Sequence, residues 1–233
     1  MIYAMSDLHG QYEKYKAMLE KIEFSDEDTL YVLGDVVDRG PEPIRLLKDM
    51  MERPNVFPIM GNHDFMALHI LRTLAVEITE ENYSSHLDSD FLQGLLEWQR
   101  NGGLVTIEQF KTLSQAERAD LIDYISEFPY YEIAQTDEST FVMVHSGLGN
   151  FAPGKKLREY TIEELAFMRP PYDRRYFEDE SIYIVSGHTP TLKITGKAEI
   201  YRSCGNICID CGAFTEEGRL AGLCLDTMEE FYV

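Results

Sequence analysis

Residues 34–40 read Gly34-Asp35-Val36-Val37-Asp38-Arg39-Gly40, and they follow the apolar run 29–33. That run has the composition of a buried β-strand, and a glycine at its end allows the backbone to turn sharply. Two aspartates and an arginine therefore emerge at the carboxyl end of a predicted strand. Ligands bind at this edge in open α/β sheets, so the turn is the first candidate for a functional site.

The same unit of strand, polar turn and helix is predicted three times near the start of the chain. Residues 2–6 lead into Asp7-Leu-His-Gly10 and a helix over about 11–22. The second unit continues from the opening stretch into a helix over 42–52, and the third runs from 56–60 through Gly61-Asn-His-Asp64 into another helix. This alternation predicts a parallel sheet with right-handed crossovers, and therefore an α/β fold.

The alternation stops near residue 72, and helical patterns continue to about residue 128. Ser114-Gln-Ala-Glu117 is a capping-box signature for one of these helices. Strands are predicted again at 130–134, 140–144 and 181–185, and three more, at 200–202, 208–210 and 220–225, are expected to form a final, mainly antiparallel sheet. Because no flexible linker or repeat interrupts the chain, we expect a single domain over residues 1–233 with a helical insertion at about 72–128.

Composition excludes several classes of protein. The net charge of −20, from 41 acidic and 21 basic residues, argues against a nucleic-acid partner, which needs clustered Lys and Arg. No apolar run approaches the roughly 20 residues that span a bilayer, and no signal-peptide pattern precedes the first polar motif. We therefore expect a soluble cytoplasmic protein with no membrane partner.

The four cysteines raise the question of a metal cluster. Cys204, Cys208 and Cys211 have a spacing found in some iron–sulfur sites, and Cys224 follows further along. A strand over 208–210 would point neighbouring side chains to opposite faces, so that three thiolates could not surround one cluster. We interpret the cysteines as small core residues, with any redox role left open.

The histidines are distributed unevenly. His69 lies on a predicted helix and His86 in the helical stretch, and neither is assigned chemistry. The other four, His9, His63, His145 and His188, each follow a predicted strand directly. If those strands lie side by side, the four imidazoles converge on one edge of the sheet.

Carboxylate and amide side chains join these histidines at the strand ends. The candidate metal ligands are Asp7, His9, Asp35, Asn62, His145 and His188. This mixture suits Mn, Fe or Zn better than calcium, which prefers oxygen ligands alone. Six ligands suffice for two metals if Asp35 bridges them, and a metal pair about 3.5–4 Å apart stabilises both the attacking and the leaving oxygen in displacement at phosphorus.

The chain resembles the phosphoprotein-phosphatase (PPP) family of binuclear metallophosphatases. The motifs are Asp7-Leu-His-Gly, Gly34-Asp-Val-Val-Asp-Arg-Gly, Gly61-Asn-His-Asp, Val144-His-Ser-Gly and Gly187-His-Thr-Pro, in the family's order. The length and Ile209-Asp-Cys-Gly212 are most similar to the small bacterial and phage members typified by lambda phosphatase. The resemblance implies a calcineurin-like fold, a mixed β-sandwich flanked by helices.

The resemblance also implies roles for individual residues. Asp7, His9, Asp35 and His188 would hold one metal, and Asp35, Asn62 and His145 the other. His63 would be the general acid, oriented by Asp38, while Arg39 and Arg169 would bind phosphoryl oxygens. Arg174 and Arg175 are close in sequence to Arg169, which leaves the second arginine open. Mn²⁺ is expected in vitro, with Fe or Zn as alternatives, and a metal-bridging hydroxide would attack phosphorus in line.

Two residues depart from the pattern of the PPP family. Many members have arginine before the Gly-Asn-His motif, where this chain has Met60, and the motif ends in Asp64 instead of the commoner glutamate. Met60 removes a polar neighbour of the metal site. Asp64 is one methylene shorter than glutamate, so any contact of that carboxylate must be made in a different way.

The main functional prediction is a metal-dependent phosphatase for phosphoserine and phosphothreonine, and for phosphotyrosine as well, in proteins. A small phosphorylated molecule remains a second class of substrate. The alternative is a symmetrical dinucleoside tetraphosphate (Ap4A) hydrolase, which we rank lower because those enzymes usually lack the Asp38-Arg39 pair in this form. A third hypothesis, suggested only by Met60, is a non-catalytic metal-binding scaffold. The oligomeric state is left open.

Overall fold

The computed structural model describes residues 1–76 and 88–233 of the chain. His86 and part of the predicted helical insertion lie outside these ranges. Ten strands in the described ranges form two five-stranded sheets. In the described ranges, no helix is long and apolar enough to cross a membrane.

The first sheet contains the three strands predicted at the start of the chain. Its strands are β1 (Ile2–Met5), β2 (Thr29–Val32), β3 (Val56–Pro58), β9 (Ala221–Cys224) and β10 (Glu230–Tyr232). The spatial order is β10-β9-β1-β2-β3, with β1, β2 and β3 parallel and β9 antiparallel to β1. The carboxyl ends of β1, β2 and β3 therefore lie at one edge.

The second sheet carries the other two histidine motifs. Its strands are β4 (Tyr131–Gln135), β5 (Thr140–Val144), β6 (Ile182–Ser186), β7 (Tyr201–Ser203) and β8 (Asn206–Cys208). The order is β4-β5-β6-β8-β7, with β5, β6 and β8 parallel and an antiparallel strand at each edge. Two predictions are therefore wrong. The last strands do not form one antiparallel sheet, because β9 pairs with β1, and the histidine-bearing strands belong to two sheets.

The two sheets pack face to face and form the mixed sandwich that the family resemblance implied. Ala4 of β1 lies in one apolar cluster with Phe141 and Met143 of β5. Alternate residues point to the opposite faces, where Met5 packs against helices and Val142 lies in a third cluster. Each sheet therefore has apolar residues on both faces, with a shared core between the two sheets.

The helices cover the outer face of the first sheet and continue beyond it. They are α1 (Tyr12–Lys21), α2 (Pro43–Met51), α3 (Asn62–Leu74), α4 (Ser89–Arg100), α5 (Leu104–Lys111) and α6 (Gln115–Ser126). The short α7 (Thr191–Thr195) instead follows β6 of the second sheet. The predicted capping box of α6 is present, since the Glu117 N–H donates to Ser114 Oγ at 3.3 Å and the Ser114 N–H donates to Glu117 Oε2 at 2.9 Å. Residues 157–159 form a 3₁₀ turn, and residues 163–167 form one turn of π-helix.

The helices α4–α6 share an apolar core with the first sheet. Trp98, Ile107 and Phe110 are buried in the same cluster as Met5 and Val36. This packing fixes α4 and α5 beside the turn that follows β2. The division of the whole chain into one domain stays a prediction.

Three of the four cysteines occupy the places expected of core residues. Cys208, Cys211 and Cys224 are buried with free thiols. Cys204 is also free but exposed, in the turn between β7 and β8. The interpretation of all four as core residues is therefore wrong for Cys204, because a two-residue turn faces solvent.

Candidate active site

Backbone conformation marks the candidate residues. Among the described residues, ten non-glycine residues have positive φ, and six of them are candidate site residues. They are Asp7 (52°), His9 (42°), Asp35 (54°), Asp38 (73°), Arg39 (64°) and His188 (64°). Such conformations cost of order 1–3 kcal/mol each in non-glycine residues and persist where surrounding contacts enforce them. Their concentration after three strands, β1, β2 and β6, points to function there.

Asp64 holds two of these turns together. Its Oδ2 accepts hydrogen bonds from the backbone N–H of Asp35 at 2.7 Å and of Gly61 at 3.1 Å. Its Oδ1 accepts from the N–H of Val36 at 3.0 Å and of Val37 at 3.3 Å. The shorter carboxylate therefore makes its own set of contacts and ties the turn after β2 to the start of α3.

Close approach of backbones explains two of the glycines in the motifs. A Cβ at Gly34, where φ is 81°, would lie 2.6 Å from the backbone of Gly61 and 2.7 Å from His145 Nδ1. A Cβ at Gly187 would overlap the side chains of Ser6 and Asp7. Glycine at these positions lets the turns of the two sheets come together.

Asp35 lies at the centre of the site. Its Oδ2 is 3.5 Å from His9 Nε2 and 3.9 Å from His63 Nε2, and its Oδ1 is 3.4 Å from His145 Nε2. The carboxylate therefore faces histidines of both sheets. This arrangement is the one a bridging ligand requires, and the bridging role itself stays a prediction.

The ring nitrogens of three histidines have defined roles. His9 Nδ1 lies 2.9 Å from the Val37 carbonyl oxygen, His145 Nδ1 lies 2.6 Å from that of Leu33, and His63 Nδ1 lies 2.7 Å from Asp38 Oδ2. These oxygens can only accept, so each Nδ1 carries the proton and donates it. Each Nε2 therefore faces the centre of the site, as metal-binding and proton-donating histidines require.

Arg39 reaches into the same centre. Its Nη1 donates to His9 Nε2 at 2.7 Å and its Nη2 to His63 Nε2 at 2.8 Å. The guanidinium also packs 4.4 Å from the centre of the Phe214 ring. The prediction that Arg39 binds phosphoryl oxygens requires it to exchange these histidine contacts for substrate oxygens.

The donor set fits divalent metal ions. Two groups have ligand atoms within 4.8 Å of one another, namely His9, Asp35 and His63, and Asp35, His145 and His188. His188 Nε2 is buried and has no hydrogen-bond partner among the described residues, which is the environment of a nitrogen meant for a metal. The grouping differs from the predicted ligand sets, because His188 lies with His145 and His63 lies with His9.

The other two predicted ligands lie beside the second group. Asn62 Oδ1 is 3.1 Å from His145 Nε2. Asp7 Oδ2 accepts the backbone N–H of His188 at 2.9 Å and the hydroxyl of Ser6. All six predicted ligands are thus brought together, and their assignment to particular metals stays a prediction.

Electrostatics separates the histidines into two kinds. Burial lowers the pKa of His9 and of His188 to about 3, so both rings are neutral and keep a lone pair that a metal could bind. Burial also opposes the charged form of His145, but Asp35, Asp7 and the Leu33 carbonyl oxygen together outweigh it and raise the pKa of His145 to about 10. Burial opposes the charged form of His63 as well, and Asp35 and Asp38 raise its pKa. A raised pKa keeps a proton on His63 for donation.

Two residues of the helical stretch touch this site, and sequence reasoning missed both. The indole Nε1–H of Trp98 donates to Asp38 Oδ2 at 2.7 Å, and the hydroxyl of Thr106 donates to Asp38 Oδ1 at 2.7 Å. Trp98, Thr106 and Asp38 are all 0% exposed. The one usable signal was that Trp98 is the single tryptophan of the chain, since a buried indole needs a partner for its N–H.

The structure separates the three candidate arginines. Arg169 is exposed just after the π-helical turn and lines a groove with Arg39 and His188. Arg174 instead lies over the rings of Phe151 and Tyr176. Arg175 donates to the carbonyl oxygen of Asp179. Arg169 is thus placed at the candidate site, and its role there stays a prediction.

Met60 lies in apolar surroundings and not at a polar position of the site. It is 2% exposed and belongs to the core cluster beneath the helices. Its backbone N–H donates to the Pro129 carbonyl oxygen at 2.8 Å. The side chain therefore serves packing, and the candidate site is assembled without a polar residue there.

Three bacterial relatives, each named symmetrical bis(5'-nucleosyl)-tetraphosphatase, are similar to this chain. The Erwinia tasmaniensis protein is 30% identical over 116 residues, which cover 49% of this chain and 42% of that protein. The Wigglesworthia glossinidia brevipalpis protein is 28% identical over 113 residues, covering 48% and 42%. The Salmonella paratyphi B protein is 31% identical over 116 residues, covering 49% and 41%. The matches thus span less than half of each relative's own length.

Solved structures share the fold over the whole chain. A proposed diadenosine tetraphosphatase aligns with a TM-score of 0.65 and 16% identity, covering 100% of this chain and 92% of that chain. A protein serine/threonine phosphatase from Saccharomyces cerevisiae aligns with a TM-score of 0.58 and 12% identity, covering 100% and 79%. At these identities the likeness shows the fold alone, and it confirms the predicted α/β sandwich.

These relatives overturn the main functional prediction, a phosphatase for phosphoproteins. The similar curated proteins are named for dinucleoside tetraphosphates, and the alternative prediction is therefore the better one. The Asp38-Arg39 pair, which favoured the phosphoprotein substrate, does not discriminate between the two activities. Its contacts are with His9 and His63, a predicted metal ligand and the predicted proton donor, which hydrolysis of either kind of substrate would use. The closer resemblance to lambda phosphatase gains no support from these matches.

The family assignment rests on a longer match. The family model described as calcineurin-like phosphoesterase matches residues 1–207. This range includes all ten predicted site residues, on the fold that places them together. Membership implies divalent metal ions, for which the histidine and aspartate groups around Asp35 are suited. The chain belongs to the calcineurin-like phosphoesterase family.

Proposed function

We propose that this chain hydrolyses dinucleoside tetraphosphates symmetrically, between the second and third phosphates. The observation that carries the proposal is the combination of the named relatives with a groove of about 510 Å³ that opens beside His188. The groove is lined by Arg39, Arg169, Lys193, Phe214 and His188, together with Pro190, Leu192, Thr215, Glu216 and Glu217.

The groove has the chemistry expected for a nucleotide. Its three cationic side chains, Arg39, Arg169 and Lys193, suit a chain of phosphates, and arginine binds phosphate oxygens in pairs. Phe214, Pro190 and Leu192 add apolar surface for a base and a ribose. A larger cavity of about 720 Å³, lined by Phe151 and Tyr176 among others, contains none of the predicted site residues.

The residues around Asp35, with Asp7 and Asn62, would hold two divalent metal ions, Mn²⁺ in vitro. When bound, such a pair supplies Lewis-acid activation of water and neutralises charge at the reacting phosphorus. Arg39 and Arg169 would bind non-bridging oxygens of the phosphate that is attacked. The bond from phosphorus to the bridging oxygen breaks, and this oxygen leaves as part of a nucleoside diphosphate.

His63 would donate the proton that the leaving oxygen needs. Its Nδ1–H is held by Asp38 at 2.7 Å, and Nε2 faces the centre of the site. Nε2 accepts from Arg39 in this structure, and it would carry the proton to be transferred once Arg39 exchanges that contact for substrate oxygens. The contact with Asp38 keeps the imidazole in this orientation. A positioned acid of this kind contributes typically 10²–10⁴-fold to the rate.

A side-by-side comparison of substrates tests the proposal. Diadenosine tetraphosphate, a phosphoserine peptide and a phosphotyrosine peptide are incubated with the Mn²⁺-supplemented protein, with His63→Asn as the blank. We expect the highest kcat/KM on the dinucleotide and loss of turnover in the variant with its metal content unchanged. Preference for either peptide, or no turnover of the dinucleotide, would contradict the proposal.

A further inference from the structure

We infer that Trp98 and Thr106, on helices α4 and α5, are positioning residues that hold Asp38 and through it set the orientation of the His63 proton donor. The inference deepens the proposed function and rests on the role of His63 in it. It assigns the helical stretch, which has no place in the predicted site, a part in the reaction.

The geometry around Asp38 leaves both carboxylate oxygens fully engaged. Oδ2 accepts from His63 Nδ1 and from Trp98 Nε1, each at 2.7 Å. Oδ1 accepts from the Thr106 hydroxyl at 2.7 Å, and that hydroxyl accepts in turn from the Asp38 backbone N–H at 3.1 Å. The carboxylate plane is therefore fixed by two donors of the helical stretch, and His63 aligns to a plane that is already set.

The turn between α4 and α5 also contacts the turn that carries Asp38 and Arg39. The Arg39 backbone N–H donates to the Gly102 carbonyl oxygen at 3.1 Å. A Cβ at Gly103 would lie 2.5 Å from the indole of Trp98, so the turn packs directly on that ring. Asp38 and Arg39 both have positive φ, and these contacts are what enforces that conformation.

Burial restricts the motion of the Asp38, Trp98 and Thr106 side chains. All three side chains are 0% exposed, so the lost donors would not be replaced by bulk water. Removing either donor frees the carboxylate to rotate and carries the His63 ring with it. A small misplacement of a catalytic group can cost about 100-fold in rate.

Matched variants separate positioning from general damage. Trp98→Phe removes the N–H and keeps an aromatic ring, and Thr106→Val removes the hydroxyl and keeps the shape. Thr106→Ser restores the hydroxyl. Thr112→Val is the control, because it makes the same chemical change at the exposed end of α5, where the hydroxyl donates to the Gln109 carbonyl oxygen.

The readout is the dependence on the leaving group, measured with Mn²⁺ on phenyl phosphate and p-nitrophenyl phosphate. Phenolate needs a proton to leave, whereas nitrophenolate needs far less help. We expect kcat on phenyl phosphate to fall about 10-fold to 100-fold in Trp98→Phe and Thr106→Val, with KM unchanged. The loss on p-nitrophenyl phosphate should be several-fold smaller, and Thr106→Ser should recover most of the rate.

Equal losses on both substrates, a change confined to KM, or a Thr106→Val variant that behaves like Thr112→Val would overturn the inference. If Trp98→Phe does not fold, the comparison of Thr106→Val with Thr106→Ser tests the inference. The assays of this inference use aryl phosphates and not the dinucleotide. If the wild-type protein cleaves aryl phosphates but not diadenosine tetraphosphate, the proposed function fails and this inference can still be tested.

A measurement without turnover checks the contact itself. The chain has one tryptophan, so its nuclear magnetic resonance spectrum has one indole N–H signal. We expect that signal to lie downfield and exchange slowly with solvent, as befits a hydrogen bond to a buried carboxylate, and to move upfield in Asp38→Asn. Rapid exchange of the indole proton with solvent, or an unchanged chemical shift in Asp38→Asn, would overturn the inference.

Discussion

Asp38 directly contacts the proposed proton donor. It is fully buried and bonded to His63 Nδ1 at 2.7 Å. Burial alone would lower the pKa of His63, but the carboxylates of Asp35 and Asp38 raise it. Because the proposed role needs a protonated His63, these carboxylates extend activity toward higher pH.

Asp38→Asn should therefore move the basic limb of the pH–rate profile to lower pH. The substitution keeps the size of the side chain and removes one of the charges that raise the pKa of His63, so the ring loses its proton at a lower pH. The measurement is kcat as a function of pH on diadenosine tetraphosphate. Asp137→Asn, an exposed change of the same kind, is the control. A limb that stays in place or moves to higher pH would contradict the role given to Asp38.

Sequence separation decides which site residues could be predicted. The predicted residues lie in local motifs, whereas the missed residues contact partners that are far away along the chain. Each of the ten predicted site residues lies in or just after a motif at a strand end, except Arg169, which only the resemblance suggested. Trp98 and Thr106 lie 60 and 68 residues from Asp38, and only the packing of α4 and α5 brings them to it. No local pattern records such a contact.

At the scale of elements, the site is built from turns, and the Asp64 carboxylate connects two of them by hydrogen bonds. The turn after β2 and the start of α3 donate four backbone N–H groups to its carboxylate. Strands and helices could be predicted from periodicity and caps, because these are local properties. The pairing of β9 with β1 could not, since it joins residues more than 200 positions apart, such as Tyr3 and Cys224.

Asp64→Ala should destabilise the protein by about 3 kcal/mol or more. The change leaves four N–H groups without their acceptor in a buried place, and each unsatisfied buried donor costs about 1–3 kcal/mol. Urea denaturation of the metal-free protein measures the loss without the contribution of metal binding. Asp120→Ala, at an exposed position of α6, is the control and should change the stability little. Equal midpoints for Asp64→Ala and Asp120→Ala would show that Asp64 does not hold the turns.

At the scale of the whole molecule, the helical stretch and the first sheet share one core. Trp98 and Phe110 belong to the same apolar cluster as Met5 of β1. We therefore propose that residues 1–233 form one domain. The fold class could be predicted because β-α alternation and the family resemblance agree, whereas the division of the histidine strands between two sheets depends on long-range pairing.

One domain should unfold in one transition. Fluorescence of the single tryptophan reports on the helical stretch, and circular dichroism reports on all elements. We expect both signals to give the same midpoint in thermal or urea denaturation, as two-state unfolding requires. An earlier transition in the fluorescence would show that the helices unfold independently and would contradict the single domain.

The most direct measurement is the identity of the products of diadenosine tetraphosphate. The Mn²⁺-loaded protein is incubated with this substrate, and the nucleotides are separated by ion exchange and quantified. Symmetrical cleavage predicts ADP as the sole product, two molecules for each substrate, at a rate that His63→Asn lowers by about 10²–10⁴-fold. AMP together with ATP, release of inorganic phosphate, or an undiminished rate in His63→Asn would contradict the account.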